Sequence, residues 1–410
     1  MNILVIGLGF VGLTTGLGFA EKGHSVLGFE ADPLKSAELA ACKISLFEPG
    51  LSDALIRHIG RNFVVLSKLP NNIDDIQAVF ICVGTPGSDD GSTDFSYVYG
   101  AIDMLESMLK SGFFGGIVVI KSTIPPDSTK TKIVPYLRKK GIAASIANNP
   151  EFLREGYCWD DFMNPDRIVC GVNDPEAANV LKAVYKDFNA PIIITSFNTA
   201  EFIKYLSNNM LANMISFSNE MSIIAEAIGD ISIKQAFETL HMDRRWADSP
   251  MKHYVYPGCG FGGYCLPKDL QAMIMHSIRY GVNPVLLESV QAVNQSMASF
   301  FVNQIIADTK ENIGVLGLSF KPKSDDVRST PAADIISALQ NKGYKSIYVF
   351  DPEANMAFKN NYSFLLHYCG NAEEVCEKAK TVIIVTAWPQ FKGIDKRWPN
   401  VKFIDGRYML

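Results

Sequence analysis

Short runs of apolar residues alternate with helical patterns along the first half of the chain. The runs predict β-strands at Ile3–Ile6, Ser25–Phe29, Phe63–Leu66, Ala78–Val83, Ile117–Ile120, Ala143–Ala147, Arg167–Gly171 and Ile192–Thr195. Helical patterns lie between most of them, including Val98–Lys110, Ser128–Lys139 and Pro175–Asp187. Such alternation predicts a parallel sheet with helices on both faces.

The middle of the chain has long helical patterns and few strand signals. Thr199–Ile228 repeats apolar residues at helical spacing, and Pro284–Thr309 is similar. We interpret this part as a helical spacer that carries a subunit interface, although the pattern fits a buried helix within one domain equally well.

A second α/β region begins near Asn312. Its predicted strands are Ile313–Leu316, Ser346–Phe350, Val382–Val385 and Phe403–Ile404, and its first helix is Pro331–Asn341. The chain is therefore predicted to be an α/β protein with a helical connector between two α/β regions.

Composition excludes several classes of protein. The chain has 410 residues, 48% apolar and 20% charged, with a net charge of −5, which is ordinary for a globular protein and does not suggest nucleic-acid binding. Its eight cysteines are scattered without a CxxC pair, which argues against a disulfide framework or structural zinc and favours a reducing cytoplasm. The uncharged stretch Met1–Ala20 lacks a basic start and is interrupted by glycines, so it predicts a strand, turn and helix rather than a signal peptide or membrane anchor.

The first turn of the chain has the pattern of a dinucleotide site. The predicted cofactor contacts in it are Gly7, Leu8, Gly9, Phe10, Val11 and Gly12. These glycines allow a tight turn, a close approach of the pyrophosphate and close packing of the helix on the strand. Glu30 ends the second predicted strand, where a carboxylate accepts the ribose hydroxyls and repels a 2′-phosphate, so NAD is favoured over NADP.

Two further loops follow strands of the first sheet. The first contains Gly84, Thr85 and Pro86, and the second contains Ser122 and Thr123. Loops at the carboxyl ends of parallel strands line the cofactor crevice, although each loop alone is typical of an ordinary turn.

Residues 257–269, PGCGFGGYCLPKD, carry the candidate nucleophile. Cys265 follows a glycine-rich turn and stands close to Lys268 and Asp269. Nearby positive charge or helix N-terminal amides favour the reactive thiolate, and a nucleophilic cysteine combined with NAD implies oxidation of an aldehyde through a thioester. We interpret Cys259 as incidental, because no histidine cluster accompanies it and no metal site is expected.

Ordered motifs along nearly the whole chain resemble the UDP-glucose/GDP-mannose dehydrogenase family. They are GLGFVG at 7–12, VGTP at 83–86, KSTIP at 121–125, NPEFLREG at 149–156, PDRIV at 165–169, EFIKYLSNN at 201–209, GFGGYCLPKD at 260–269 and GLSFKPKSDDVRSTP at 317–331. The resemblance implies two Rossmann-like domains joined by a long helical dimerisation segment. The corresponding domain boundaries are 1–197, 198–309 and 310–410.

The implied activity is the four-electron oxidation of a nucleotide sugar at C6, from alcohol to carboxylate, with two NAD⁺ and one water. UDP-glucose is the favoured substrate, and GDP-mannose or a UDP-N-acetylhexosamine is the alternative. A non-catalytic dinucleotide-binding regulator is a second alternative, although it needs neither Cys265 nor Lys204. A cytoplasmic homodimer that binds neither nucleic acid nor membrane is expected.

The resemblance also implies catalytic roles. Cys265 would be the nucleophile, and Lys204 and Asn208, one helical turn apart, would stabilise the C6 oxyanion. Glu155 would move protons during thioester hydrolysis. Thr123 and Asp269 would hold the attacking water or assist proton movement. Without the resemblance, Lys204 and Asn208 would fit a solvated helix face.

The remaining implied contacts follow the same motifs. Further cofactor contacts are Glu30, Lys35, Glu155, Cys265, Lys268 and Arg328. Substrate contacts are Glu151, Phe152, Leu153, Arg154, Glu155, Lys204, Asn208, Arg244, Arg245, Tyr254, Tyr256, Gly260, Phe261, Gly262, Phe320, Lys321 and Arg407. Cations there suit a diphosphate. Residues 241–256 depart from the usual family pattern, so either Arg244 or Arg245 fits the arginine that reaches the sugar.

Overall fold

Two compact units make up the protein, Met1–Leu206 and Ser207–Leu410. The structure is a computed structural model, and it describes residues 1–44, 48–110, 114–243, 246, 254–305 and 311–410. The expected α/β fold is confirmed, with predominantly parallel sheets and helices packed on them.

The first unit is built around a sheet that has eight strands among the residues described. They are β1 Asn2–Ile6, β2 Ser25–Phe29, β3 Phe63–Leu66, β4 Ala78–Ile81, β5 Ile117–Ile120, β6 Ser145–Asn148, β7 Ile168–Val172 and β8 Ile192–Thr195, in the order β3-β2-β1-β4-β5-β6-β7-β8. The helices of this unit are α1 Phe10–Glu21, α2 Pro33–Ala40, α3 Leu51–His58, α4 Ser96–Leu109, α5 Val134–Lys139, α6 Cys158–Met163 and α7 Pro175–Val184. The order reverses at β1, so the carboxyl ends of β1 and β4 flank the crevice in which doubly wound sheets bind ligands.

The strands form because continuous apolar runs can be buried on both faces. Every residue of β4 and β5 is buried. One apolar cluster, with Phe19 and Phe80 at its centre, covers one face, and a second cluster around Ile102 and Leu105 covers the other. This is the arrangement that the alternating pattern predicts.

The prediction of a wholly parallel first sheet is wrong at one junction. β7 runs antiparallel to β6, through the pairs Ala147–Val172 and Asn148–Gly171, and the other strand pairs described in this sheet are parallel. The connection from β6 to β7 contains only the six-residue helix α6 and brings the chain back in the opposite direction. Strand β4 also ends at Ile81 rather than Val83.

The helix α8, Phe197–Ile228, is continuous and leads into the second unit. The helices that follow are α9 Ile233–Leu240, α10 Leu266–Arg279, α11 Val285–Asn303, α12 Pro331–Asn341, α13 Asn355–Asn361, α14 Ala372–Lys378 and α15 Ile394–Arg397. The strands are β9 Ile313–Leu316, β10 Ile347–Phe350, β11 His367–Tyr368, β12 Thr381–Ile384 and β13 Lys402–Asp405, in the parallel order β11-β10-β9-β12-β13. In the described ranges, no helix is long and apolar enough to span a bilayer.

The carboxyl group of Glu201 is buried where α8 begins. Its Oε1 accepts hydrogen bonds from the Thr129 N–H at 2.8 Å and the Thr129 hydroxyl at 2.5 Å. Thr129 starts a π-helical turn, Thr129–Ile133, which precedes α5 in place of the single predicted helix over 128–139. Burial raises the pKa of Glu201 from its ordinary value of 4.5 to about 7, since few groups compensate its charge.

We predict that Glu201 makes the first unit less stable as the pH rises. Between pH 4.5 and 7 the folded chain retains a proton that the unfolded chain has lost, so stability falls by about 3 kcal/mol over this range. The melting temperature of Glu201→Gln should therefore fall less between pH 5 and pH 8 than that of the wild type. The matched control is Glu220→Gln, an exposed position on the same helix, which should follow the wild type. Equal pH dependence in all three proteins would contradict the prediction.

Candidate active site

The turn after β1 has the geometry of a dinucleotide site. Gly7 has φ +87°, which favours glycine, and α1 begins three residues later at Phe10. A Cβ on Gly12 would lie 1.8 Å from the Gly7 carbonyl oxygen, so only glycine allows the helix to pack this closely. A Cβ on Gly9 would meet nothing within 4 Å, and the backbone there is open to an incoming group. The residues present therefore fit a pyrophosphate at the start of α1.

Glu30 follows β2, beside this turn. Its Oε2 accepts a hydrogen bond from the Leu8 N–H at 3.1 Å and pairs with the Lys35 Nζ at 3.1 Å. Its Oε1 accepts a hydrogen bond from the Asp32 N–H at 3.1 Å. These contacts orient the carboxylate next to the pyrophosphate position, where ribose hydroxyls would reach it.

The two cofactor loops are joined by hydrogen bonds. The Thr85 hydroxyl donates to the Thr123 carbonyl oxygen at 2.7 Å, and the Ser122 hydroxyl donates to the Val83 carbonyl oxygen at 2.7 Å. The structure thus brings together the two loops that contain the predicted residues Gly84 to Pro86 and Ser122 to Thr123.

A buried ion pair links two predicted site residues in the first unit. The Lys204 Nζ lies 2.9 Å from the Glu151 Oε1, and both side chains are at most 7% exposed, so the alternative of a solvated position is wrong for Lys204. Burial alone would raise the pKa of Glu151, but the Lys204 ammonium and the Leu153 N–H outweigh it and hold the pKa below its usual value. The Phe152 ring lies near two cations, with its centroid 4.2 Å from the Arg167 Cζ and 5.6 Å from the Lys204 Nζ. Lys204 is therefore fixed as a buried cation.

The loop 149–156 is shaped by carboxylates that accept backbone N–H groups. Glu48 accepts from the Gly156 N–H at 2.6 Å, and Asp161 accepts from the Arg154 N–H at 2.8 Å and from its guanidinium. Glu155, the predicted proton carrier, stands next to Gly156 in this loop and is half-buried. Sequence reasoning missed Glu48, Asp161 and Arg167. The only signal for Glu48 was its place before the Pro49–Gly50 turn.

Cys265 occupies the N-cap position of α10, and it is exposed. The dipole of a helix favours an anion at this end, which supports a thiolate there. Asp269, one turn later, is 1% exposed, and its Oδ2 accepts from the Asn208 Nδ2 at 2.6 Å. Its Oδ1 lies 2.6 Å from the Lys268 Nζ.

The Asp269 carboxylate stabilises the positive charge of Lys268. Burial would lower the pKa of Lys268, but the adjacent Asp269 carboxylate outweighs it and the pKa lies above its ordinary value. Asn208 is 8% exposed, so the solvated alternative is wrong for it as well. Asp269, Asn208 and Lys268 thus form one buried cluster behind the start of α10.

The predicted substrate segments of the second unit lie along the glycine-rich chain before Cys265. Gly263 donates its N–H to the Arg328 carbonyl oxygen at 3.1 Å, and a Cβ on Gly263 would lie 2.9 Å from the Phe320 ring. The Arg328 guanidinium stacks 4.4 Å from the Tyr264 ring centroid and pairs with Asp326. The Lys321 Nζ lies 5.1 Å from the Phe320 ring centroid.

Arg407 is a further basic group near the glycine-rich chain before Cys265. Its Nε donates to the Val385 carbonyl oxygen at 2.5 Å, and its Nη1 would be 2.7 Å from a Cβ on Gly258. Tyr256 packs against Phe237 and Tyr408, and burial raises its pKa to about 12. Tyr254 is half-buried in the turn before it. Arg244 and Arg245 lie outside the described residues, so the choice between them stays a prediction.

Family models match the chain in three consecutive ranges. Residues 1–189 match the NAD binding domain of the UDP-glucose/GDP-mannose dehydrogenase family, residues 198–296 match its central domain, and residues 314–410 match its UDP binding domain.

Known proteins are similar over nearly the full length. UDP-glucose 6-dehydrogenase of Rickettsia felis is 36% identical over 98% of this chain and 89% of its own, and that of Rickettsia bellii is 37% identical over 98% and 92%. The structure of a UDP-glucose dehydrogenase from Pyrobaculum islandicum has 36% identity and a TM-score of 0.91, and it covers 100% of this chain and 94% of that one. A UDP-D-ManNAc dehydrogenase from Pyrococcus horikoshii has 25% identity and a TM-score of 0.86, with 100% and 96% covered.

Three matching domains in consecutive order, with relatives above 30% identity over nearly nine-tenths or more of both chains, fix the class of enzyme and its NAD cofactor. The chain belongs to the UDP-glucose/GDP-mannose dehydrogenase family, the NAD-dependent nucleotide-sugar dehydrogenases.

Proposed function

We propose that the protein oxidises UDP-glucose to UDP-glucuronate, using two NAD⁺ and one water, through a covalent adduct on Cys265. The observation that carries the proposal is the exposed Cys265 thiol at the start of α10, backed by the buried Asp269–Asn208–Lys268 cluster. An enzyme that removes only two electrons from an alcohol needs no such thiol. A non-catalytic regulator needs neither the thiol nor the buried charges.

UDP-glucose is favoured by the relatives. Those with 36% and 37% identity carry the name UDP-glucose 6-dehydrogenase, whereas the UDP-D-ManNAc dehydrogenase has only 25% identity. Tyr264 beside the nucleophile also resembles the UDP-glucose members of the family. GDP-mannose and UDP-N-acetylhexosamines remain the alternatives because residues 254–258, YVYPG, resemble the GDP-mannose members.

Different residues carry out different steps of the proposed reaction. NAD⁺, which the turn at 7–12 and Glu30 would hold, would supply the hydride acceptor for each oxidation at the sugar C6, and the C6 hydroxyl would give up its proton in the first. The Cys265 thiolate adds to the C6 aldehyde to form a thiohemiacetal, and the second oxidation leaves a thioester that water hydrolyses, which releases the thiol. Lys204 and one N–H of Asn208 stabilise the C6 oxyanion; the other Asn208 N–H is already donated to Asp269. Glu155 accepts the proton of the attacking water, with Thr123 and Asp269 as its supporting groups, and Glu151 holds Lys204 in place.

The binding contacts are proposed on the same basis. Phe320, Lys321 and Arg407 bind the nucleotide sugar, with Arg244 or Arg245 as a further cation, and the family resemblance assigns Arg328 to the cofactor. Lysine and arginine suit these places because a diphosphate carries about two negative charges that guanidinium groups bind in pairs.

We also propose the domain division 1–197, 198–309 and 310–410, and a homodimer formed through α8. Support for the dimer comes from one apolar face of this helix, which is exposed at Phe202, Leu206, Met210, Phe217, Ile224 and Ile228. A second copy of the chain is the occupant that fits exposed apolar residues repeated at helical spacing along this 32-residue helix. None of the eight cysteines forms a disulfide, which supports a cytoplasmic location.

The substrate assignment predicts one nucleotide sugar with clear preference. NADH formation should be measured with UDP-glucose, GDP-mannose, UDP-GlcNAc and UDP-ManNAc, and NADH should be counted per sugar consumed. We expect UDP-glucose to give the highest kcat/KM by about 100-fold or more and to yield about two NADH per sugar. A preference for another sugar would correct the substrate, one NADH per sugar would reject the covalent route, and no NADH with any sugar would favour the regulator.

The nucleophile assignment predicts that Cys265→Ser lowers kcat by about 1,000-fold or more while NAD binding is kept, because an alcohol is a far weaker nucleophile than a thiolate. Turnover and NAD affinity should be measured on the same preparation. Cys42→Ser is the matched control, since Cys42 is also an exposed thiol, and its turnover should equal that of the wild type. Full turnover in Cys265→Ser would remove the nucleophile from the mechanism.

The ribose assignment predicts that Glu30→Ala raises the KM for NAD by about tenfold and reduces discrimination against NADP by a similar factor. The carboxylate would no longer accept the ribose hydroxyls or repel a 2′-phosphate. Glu38→Ala, at an exposed position on the neighbouring α2, serves as the control. An unaltered cofactor preference in Glu30→Ala would mean that the ribose lies elsewhere.

A further inference from the structure

The six residues 258–263, here called the glycine segment, lie in direct contact with the predicted nucleotide-binding residues of the second unit. A Cβ on Gly258 would lie 2.7 Å from the Arg407 Nη1, and a Cβ on Gly262 would lie 2.2 Å from the Ser329 carbonyl oxygen. A Cβ on Gly263 would lie 2.9 Å from the Phe320 ring. The glycines thus let the backbone that leads to Cys265 approach Phe320 and Arg407 closely.

At one point a side chain of the glycine segment packs on a glycine near the end of the chain, and a side chain from there packs on a glycine of the segment. The Cys259 sulfur packs on Gly406, and a Cβ on Gly406 would lie only 2.1 Å from it. The Arg407 side chain packs on Gly258, which has no side chain to exclude it. The Cys259 Sγ lies 3.4 Å from the Gly406 carbonyl oxygen and 3.9 Å from the Ile384 carbonyl oxygen. Cys259 is 3% exposed, and burial raises its pKa to about 12, so at neutral pH it retains the proton that it donates. We call these four residues, Gly258, Cys259, Gly406 and Arg407, the interlock.

Two asparagines hold the glycine segment from the other side. The Asn219 Oδ1 accepts from the Gly258 N–H at 2.8 Å. The Asn294 amide accepts from the Phe261 N–H at 2.8 Å and donates to the Phe261 carbonyl oxygen at 3.0 Å. The segment is therefore held at Gly258, at Phe261 and, through the Gly263 N–H, at the Arg328 carbonyl oxygen, and it forms one tightly packed stretch that leads to Cys265. We expect loss of the Cys259 contact to loosen this stretch and the backbone at its end.

We propose that Cys259 is a positioning residue that holds the Cys265 backbone and Arg407 as one element, so that nucleotide binding at Arg407 also sets the place of the nucleophile. The expectation that Cys259 is incidental is thereby replaced by a role in positioning. This inference rests on the proposed function, because that function assigns Arg407 to the nucleotide sugar. Loss of the interlock should affect substrate KM and the response of Cys265 to nucleotide, and leave NAD binding unchanged.

The test compares Cys259→Ala and Cys259→Ser with the wild type and with Cys376→Ala. Cys376 is a suitable control because it is also a buried thiol of the second unit, 4% exposed, and it packs in an apolar cluster with Val375 and Ile394. Alkylation of Cys265 by iodoacetamide, followed by mass spectrometry, should be timed with and without UDP. Steady-state KM for UDP-glucose and for NAD should be measured beside it.

We expect UDP to change the Cys265 alkylation rate by about fivefold in the wild type and in Cys376→Ala, and by less than about 1.5-fold in Cys259→Ala. The KM for UDP-glucose should rise about tenfold in Cys259→Ala with the KM for NAD unchanged. Cys259→Ser, which retains a donor on a shorter side chain, should fall between these two. Wild-type values in Cys259→Ala, or equal losses in Cys376→Ala, would overturn the inference, as would a wild-type alkylation rate that UDP does not change.

A second pair of variants guards against a merely structural effect. Gly406→Ala should impair UDP response by collision with the Cys259 sulfur, and adding Cys259→Ala should restore part of it, since the new methyl group takes the place of the sulfur. Recovery is expected to be partial because the new methyl group would also lie 2.8 Å from the Ile384 carbonyl oxygen. No recovery would count against the interlock. A wild type that forms no NADH from any nucleotide sugar would instead reject the proposed function, and the alkylation response to UDP would still report on the interlock.

Discussion

The candidate site depends on carboxylates that are buried next to an ammonium group. In the first unit, Glu151 pairs with Lys204, and in the second, Asp269 pairs with Lys268. Moving an ion pair out of water costs several kcal/mol per ion, and good geometry only partly offsets this, so apolar residues would serve stability as well or better. These ion pairs are therefore better explained by a role in the reaction than by a contribution to stability. A fixed ammonium in a region of low dielectric constant stabilises a developing oxyanion far more than a solvated one does.

The two Rossmann-like sheets share one local arrangement, a glycine turn with an acidic residue beside it, but the acidic residue makes different contacts in each sheet. Each has a glycine turn after its central strand, with φ +87° at Gly7 and +93° at Gly317, and an acidic residue after the neighbouring strand. Glu30 accepts one turn N–H and remains 11% exposed, so its carboxylate is available to a ribose.

Asp351 is the counterpart of Glu30 in the second sheet. Its side chain is shorter by one methylene, and its carboxylate is already occupied by hydrogen bonds within the protein. Its Oδ2 accepts from the Leu318 N–H at 2.7 Å, from the Ser319 N–H and hydroxyl, and from the Trp388 Nε1 at 3.1 Å. The same topology therefore leaves a partly exposed carboxylate in the first sheet, and in the second it fixes the turn that leads to Phe320.

The sequence was sufficient for the features that depend on local periodicity and on contiguous motifs. The strands other than the two-residue β11, the approximate length of α8 and the position of Cys265 before a helix all follow from apolar runs and glycine spacing. The sequence did not indicate the reversal of β7, because strand direction depends on how a connection packs and not on the strand residues. It also missed Glu48 and Asn294, whose partners lie 108 and 33 residues away, since contacts between distant residues leave no periodic signal. Lys204 was placed correctly on a helix, but its burial could be known only from the packed fold.

The chain has eight chemically identical thiols, and their surroundings separate them. Burial raises the pKa of Cys82, Cys158, Cys170, Cys259, Cys369 and Cys376, which keeps these thiols protonated and unreactive at neutral pH. Cys42 and Cys265 are exposed, but Cys42 lies in a turn with φ +58°, whereas Cys265 caps a helix of 14 residues whose N-terminal N–H groups favour a negative charge. Exposure alone therefore does not distinguish a nucleophile. Exposure at the positive end of a helix favours a thiolate, and of the eight cysteines only Cys265 combines these two features.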